Sequence, residues 1–376
     1  MTTQLPDDFR CPISLEIMSD PVILSSGHTF DRASIQRWLD SGHRTCPITK
    51  LPLPDRPSLI PNYALRSLIS NFASGGGGGC GGGSRADPGP NPEPGALVAA
   101  LTSRASPLES KLEALTLLTK LSNRDPGFRR RLTESGTVSV VLSCVDSDDG
   151  SLRERALSLL LNLSLDDDNK VGLVAEGAIS KIVGALRADS ANCRALAATI
   201  ITSLAVVEVN KATIGEYPFA IGALISLLRD GNDREKKEAA TALFAICSFP
   251  ENRKRAAANG SVPVLIRAAD SGLERAVEVL AMLAKCREGR EVMGRCDGCV
   301  RVLVKMLRNG GCKGVQCALL TLYSLCCYSE RICVEVRRQG VLEMCIRLLV
   351  NDNEKIRRNA TNLAQLLQVD SDCSVR

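Results

Sequence analysis

Aromatic side chains are scarce in this chain: they make up 3% of 376 residues, with a single tryptophan. The core must therefore be filled by Leu, Ala, Val and Ile, a composition that suits stacked helices better than a β-sandwich. Histidine is scarcer still, with only His28 and His43 present, so chemistry needing an interior histidine is excluded from residue 44 onward. No apolar run approaches the roughly 18 residues of a membrane span. The polar, acidic residues 1–9 contain no signal-peptide core. Positive charge is in slight excess (47 − 42 = +5) and spread along the chain, too weakly to argue for a nucleic-acid partner. The chain is expected in the cytosol or nucleus, where its 16 cysteines stay reduced. Most of these, such as Cys144, Cys193, Cys247 and Cys345, fall in helix-like stretches, where a thiol acts as a small apolar side chain.

Three segments follow one another. Residues 1–73 hold both histidines, the tryptophan and balanced charge, seven basic against seven acidic. Residues 74–95 carry eight glycines between Gly75 and Gly83, then alternating prolines up to Pro94. With almost nothing apolar to pack, this stretch reads as a flexible, then polyproline-like tether. From residue 96 the pattern turns to uninterrupted aliphatic periodicity.

That periodicity has a phase marker. Gly136, Gly177, Gly260, Gly298 and Gly340 each precede an aliphatic run, at intervals of 41, 83, 38 and 42 residues. The 83 is two units with one marker missing near Phe219. Val138-Ser139-Val140-Val141-Leu142 is echoed at Ile179, Ile221 and Val300, and Asn169-Lys170, Asn210-Lys211 and Asn252-Arg253 recur in phase. A unit of about 40 residues belongs to stacked helical repeats. Together with Glu176-Gly177-Ala178 and Asn162-Leu163-Ser164, these residues resemble armadillo repeats over residues 96–370, in about six to seven units. Arg129-Arg130-Arg131 and Arg253-Lys254-Arg255 read as a solvated face. The run Cys296, Cys299, Cys312, Cys317 reads as reduced thiols packed between helices rather than a zinc site, as do Cys326 and Cys327.

Residues 11–49 have the ligand spacing of a zinc-binding RING, but the paired positions hold Cys11/Ser14, Ser26/His28, Asp31/Ser34 and Cys46/Thr49. Five of these eight are Ser, Asp or Thr, which cannot hold two tetrahedral zinc ions but can hydrogen-bond across the same gaps. Local signals fit a compact fold. Residues 20–24 read as a strand followed by a turn to His28. Asp31 caps a helix over residues 32–39, with Phe30 stapled to Ile35. A second helix begins at Asn62 and carries Leu65, Leu68, Ile69 and Phe72.

Phe9-Arg10-Cys11-Pro12-Ile13-Ser14-Leu15-Glu16-Ile17, Gly27-His28-Thr29-Phe30-Asp31-Arg32, Trp38-Leu39, Thr45-Cys46-Pro47-Ile48-Thr49 and Leu59-Ile60-Pro61-Asn62 together resemble a U-box, the zinc-free relative of the RING, across residues 5–73. The fold class expected is mainly α: an armadillo-type α-solenoid preceded by a small α/β U-box. A U-box (5–73), a tether (74–95) and an armadillo array (96–370) in this order resemble the plant U-box/armadillo ubiquitin ligases. The resemblance implies a scaffold enzyme without a covalent step, a metal or a cofactor. Its U-box would hold a ubiquitin-conjugating enzyme charged with ubiquitin while the repeats hold a protein substrate, and proximity would supply the rate. Carried over by position, the docking residues are Ile13, Leu15, Trp38 and Pro47. Lys50 falls where the family often places an arginine that hydrogen-bonds both enzyme and ubiquitin, and lysine lacks that planar fork. The rival reading is a non-enzymatic armadillo scaffold with an inactive U-box, for which Lys50 is the main feature. A peptide receptor with a Trp/Asn ladder is set aside, since the one tryptophan lies outside the array and Asn162 becomes Ser203 and Ala245 in later units.

Overall fold

The computed structural model describes residues 9–24, 26–54, 57, 59–62, 65–66, 69, 94–103 and 105–372. They belong to two units, Met1–Lys181 and Ile182–Arg376. In the first, strands β1 (Pro21–Ile23), β2 (Thr29–Asp31) and β3 (Ile60–Pro61) form an antiparallel sheet in the order β2-β1-β3. Helix α1 (Arg32–Asp40) follows β2 directly. Strands of two or three residues cannot hold themselves together. Their support is a small core in which Phe9, Val22, Leu24, Phe30, Ile35 and Leu39 are buried. The capping and stapling expected at Asp31 and Phe30 are present, because Ala33 N–H donates to Asp31 Oδ1 at 3.2 Å while Phe30 and Ile35 share that core. Asn62 caps the second helix by accepting from Leu65 N–H at 3.1 Å. Leu65, Arg66 and Ile69 are helical there, whereas Leu68 and Phe72 lie outside the described residues.

Most of the tether, residues 74–93, also lies outside them. Helix α2 (Pro94–Thr102) starts two residues before the expected boundary at 96, with proline at its first position, where a missing N–H costs nothing. It is followed by α3 (Leu108–Arg124), α4 (Pro126–Glu134), α5 (Thr137–Val145), α6 (Gly150–Leu163), α7 (Asp167–Ala175) and α8 (Ala178–Ala185). The second unit holds α9 (Ala191–Leu204), α10 (Glu208–Glu216), α11 (Ala220–Asp230), α12 (Asp233–Ile246), α13 (Pro250–Ala258), α14 (Ser261–Asp270) and α15 (Glu274–Leu283). It ends with α16 (Arg287–Arg295), α17 (Cys299–Asn309), α18 (Cys312–Tyr328), α19 (Glu330–Arg338), α20 (Val341–Leu348) and α21 (Glu354–Asp372). These are armadillo triplets: a nine-residue helix, a sharp reversal, a second helix and a third that stacks on its counterpart in the next triplet. Thus α3 packs on α6 in the first unit, while α9, α12, α15, α18 and α21 pack in succession in the second.

The recurring glycine makes the reversal. Gly136, Gly177, Gly260, Gly298 and Gly340 all sit at positive φ, between 72° and 85°, immediately before the second helix. Only a residue without Cβ enters that region freely. The missing marker is Phe219 itself, held at φ 66° and 71% exposed. An L-residue pays about 1–2 kcal/mol for this conformation. The Arg187 guanidinium, 5.3 Å from the Phe219 ring centroid, offsets part of it.

The recurring asparagines are helix clamps. Asn169, Asn210 and Asn252 are buried, and each amide donates to the carbonyl six residues earlier (Leu163, Leu204 and Ile246) at the end of the preceding long helix. Asn252 also reaches the Lys211 carbonyl of the neighbouring triplet at 2.7 Å. That approach requires Gly215, where a Cβ would fall 1.8 Å from Asn252 Oδ1. Asn162 works similarly, donating to Thr119 O and Ser122 Oγ between α6 and α3.

Two expectations need correction. The arginine runs are not merely solvated. Arg129 donates to the Ser122 carbonyl, and Arg253 to those of Cys247 and Ser248, satisfying orphan groups at helix ends. Nor are all the grouped cysteines packed. Cys299 and Cys326 are buried, but Cys312 and Cys327 are exposed, because helical spacing turns them to the outer side of α18. Burial pushes the Cys299 and Cys345 thiols up to about 12, which keeps them neutral packing groups.

A pair of substitutions tests the role of the reversal. Gly177→Ala should destabilise the array by about 1 kcal/mol, because alanine is strained at φ 85°. Gly184→Ala, in ordinary helical backbone with open space around the added methyl, should stabilise it by about 0.5–1 kcal/mol. Denaturant unfolding followed by helical circular dichroism checks both, and equal effects would remove the conformational explanation.

Candidate partner-docking site

Two five-residue loops in the first unit are near copies: Cys11-Pro12-Ile13-Ser14-Leu15 and Cys46-Pro47-Ile48-Thr49-Lys50. The chain folds them identically. Leu15 N–H donates to Cys11 O at 2.8 Å and Lys50 N–H to Cys46 O at 2.9 Å, while the cysteine N–H groups donate to Glu16 O and Leu51 O. Both fifth residues are left-handed, Leu15 and Lys50 each at φ 60°. Neither residue is suited to that conformation, and such strain persists only where the surroundings enforce it.

What enforces it is a hydrogen-bond lattice across the RING-like ligand positions. Asp31 N–H donates to Cys11 Sγ at 3.2 Å, and Ser14 donates to the same sulfur. Ser26 Oγ donates to Cys46 Sγ at 3.1 Å, and Thr49 adds a second bond. Burial opposes ionisation of Cys46, but these donors outweigh it and bring the thiol down to about 7. The Asp31 carboxylate ties the lattice to the sheet, since Oδ2 accepts from Ser19 N–H, Ser19 Oγ and Asp20 N–H at 2.8–3.1 Å. Burial opposes its charge too, yet the N–H donors of Asp20 and Ser19 hold the carboxyl below its usual range.

Upon this lattice stands an exposed apolar face. Trp38 on α1 is half-buried, and its Nε1–H donates to Thr45 O at 2.9 Å while His43 stacks on the indole at 3.9 Å. Lys50 Nζ donates to Pro47 O at 2.8 Å and lies 6.0 Å from the Trp38 ring centroid. The structure thus joins Trp38, Pro47 and Lys50 into one contacting group. Ile13 packs with Trp38 against the same core, half-buried. Leu15 is 69% exposed, and its carbonyl accepts from Arg10 Nη1. Ile48 and Leu51, both exposed, lie beside Pro47 and were not singled out from sequence. The near-identity of the two loops was the available signal, since Ile48 is the counterpart of Ile13. His28 and His43 serve structure, with Nδ1 of each meeting a main-chain carbonyl. Among the described residues no group of three or more His, Cys, Asp and Glu is placed to hold a metal ion, and no helix is long and apolar enough to cross a membrane.

Trp38 is the chain's only tryptophan, so its fluorescence reports this module alone. Asp31→Ala should destabilise the module by about 2–4 kcal/mol, the sum of a lost N-cap and main-chain donors left unpaired. The sign with pH follows from the lowered carboxyl. Its stabilisation is complete above the unfolded value of about 3.9 and is lost as pH falls through the folded value. Wild type should therefore lose stability on acidification below about pH 4, and the variant should lose less. Parallel acid curves for the two proteins would rule this out.

The U-box domain profile matches residues 5–75, and that of the plant U-box protein ARM repeat region matches residues 97–375. U-box domain-containing protein 8 of Arabidopsis thaliana is 61% identical over 367 residues, covering 98% of both chains. The E3 ubiquitin-protein ligase SPL11 of Oryza sativa subsp. japonica is 39% identical over 170 residues, which are 44% of this chain and 24% of that one. An engineered protein of known structure superimposes with a TM-score of 0.67 at 23% identity, over 73% of this chain and 68% of its own, a likeness of fold alone. The chain belongs to the plant U-box proteins whose U-box is followed by armadillo repeats.

Proposed function

We propose that this protein is a U-box E3 ubiquitin-protein ligase whose armadillo repeats bind the substrate. The observation that carries the reading is the exposure of Leu15, Ile48 and Leu51 on and beside two strained, hydrogen-bonded loops, the second of which meets Trp38 through Lys50. Exposed apolar side chains on a rigid base are a partner surface rather than a catalytic pocket. The thiols beneath that face, Cys11 and Cys46, are fully buried and engaged, so neither is presented to a substrate. Catalysis would lie in positioning: the U-box holds the conjugating enzyme with its thioester-linked ubiquitin, and the repeats bring a substrate lysine within reach. Ile13, Leu15, Trp38 and Pro47 contact the conjugating enzyme in this reading. Its place of action would be the cytosol or nucleus.

Lys50 keeps the inactive-scaffold reading in play, because its ammonium is already spent on Pro47 O and cannot form an arginine's two-pronged bond. In-vitro transfer with activating enzyme, a panel of conjugating enzymes, ubiquitin and ATP decides between the two. Wild type should build ubiquitin ladders. Ile13→Ala should slow them about tenfold or more, as truncating a central interface residue does, in protein whose Trp38 fluorescence shows that the module stays folded. Lys50→Arg should speed transfer. Absence of ladders from wild type and Lys50→Arg alike, in folded protein, would favour the scaffold.

A further inference from the structure

We propose that the U-box is reversibly latched onto the first armadillo triplets of its own chain by a hub of charged side chains in which Arg66 of the U-box faces Glu134 of the array. The hub starts at Asp20, whose Oδ2 takes Arg32 Nε at 2.6 Å and whose Oδ1 faces Arg66 Nη1 at 3.4 Å. The same Arg66 Nη1 lies 3.7 Å from Glu134 Oε1 at the end of α4. Arg130, on that helix, pairs at 3.1 Å with Asp168 in the first turn of α7. Strand β3, whose Pro61 is buried, lies against α7 and completes the contact. These side chains enclose a polar hollow of about 190 Å³.

Its two walls carry opposite charge. The U-box contributes Arg32, Arg66 and Asp20, a net of +1; the array contributes Arg130, Glu134 and Asp168, a net of −1. That complementarity selects this face of the U-box for this face of the array. The ionic side chains keep between 33% and 53% of their exposure, so water and salt screen each pair and none locks the contact. Of these pairs only Arg66–Glu134 crosses from one wall to the other, the rest of the contact is β3 against α7, and the covalent connection makes rebinding intramolecular. Leu15, Ile48 and Leu51 remain exposed in the latched state, so a docked enzyme is held at a fixed orientation to the repeats rather than shut out. The latch itself stands on geometry; only this last consequence rests on the ligase reading.

The test uses the full chain and charge exchange. Glu134→Arg places two cations face to face and should accelerate hydrogen exchange in α7 by about two- to fivefold, the span of one exposed ion pair, with a larger radius of gyration in solution scattering. Arg66→Glu should do the same, and Arg66→Glu combined with Glu134→Arg should restore both readings in part, since the introduced carboxylate also faces Asp20. Salt of about 1 M, with a screening length of about 3 Å, should open the wild type alike. Discharge of a charged conjugating enzyme onto free lysine should be unchanged in all variants, whereas the pattern of self-modified lysines should shift. Single variants matching wild type in exchange and radius, with the Trp38 unfolding curve intact, would overturn the latch. So would failure of the exchanged pair to restore them in part. Loss of all transfer in wild type would instead strike the ligase reading and leave the exchange data standing.

Discussion

A nine-residue helix does not hold itself together in water, because the cost of nucleation exceeds what two turns return. The first helix of each armadillo triplet has that length, and the strands of the U-box have two or three residues. Every element therefore depends on a neighbour to bury its apolar face, and the fold is a set of interfaces before it is a set of helices. The positive-φ residue sets the angle between the first two helices of a triplet. The buried asparagines join one triplet's long helix to the next turn, and Gly215 shows how closely the backbones must approach for that.

The U-box meets the same constraint with fewer residues. Where zinc would cross-link a RING, the Asp31 carboxylate accepts from the main chain of Ser19 and Asp20, while Asp31 N–H, Ser14, Ser26 and Thr49 donate to the sulfurs of Cys11 and Cys46. These bonds are individually modest, but they converge on loops whose fifth residues are strained. Leu15 and Lys50 are displayed by that tension rather than by packing of their own. A surface built this way is rigid at its base and exposed at its tip, as a docking surface needs to be.

Function in such a molecule is a matter of distance and orientation. In the proposed ligase the exposed apolar face and the repeats would each bind a partner, and the rate gain would lie in how the two are held together. A contact across half-exposed charged side chains such as Arg66 and Glu134 can set that geometry and still release it.

Period and polarity were legible in the sequence because they are local. The 41-residue spacing of Gly136 and Gly177, the cap at Asp31, the clamp phase of Asn169, Asn210 and Asn252, and the U-box segments around Ile13, Trp38 and Pro47 follow from residue type at fixed separation. Tertiary structure decided what depends on distant neighbours. It placed Phe219 in a conformation suited to glycine, because the triplet's geometry outweighs one residue's preference. It turned Cys312 and Cys327 outward and set the Arg129 and Arg253 heads on helix-end carbonyls. It folded Lys50 onto Pro47 and brought Arg66 beside Glu134. Side-chain exposure and ion pairing between distant segments are properties of the packed chain, whereas a turn, a cap and a period are already properties of its sequence.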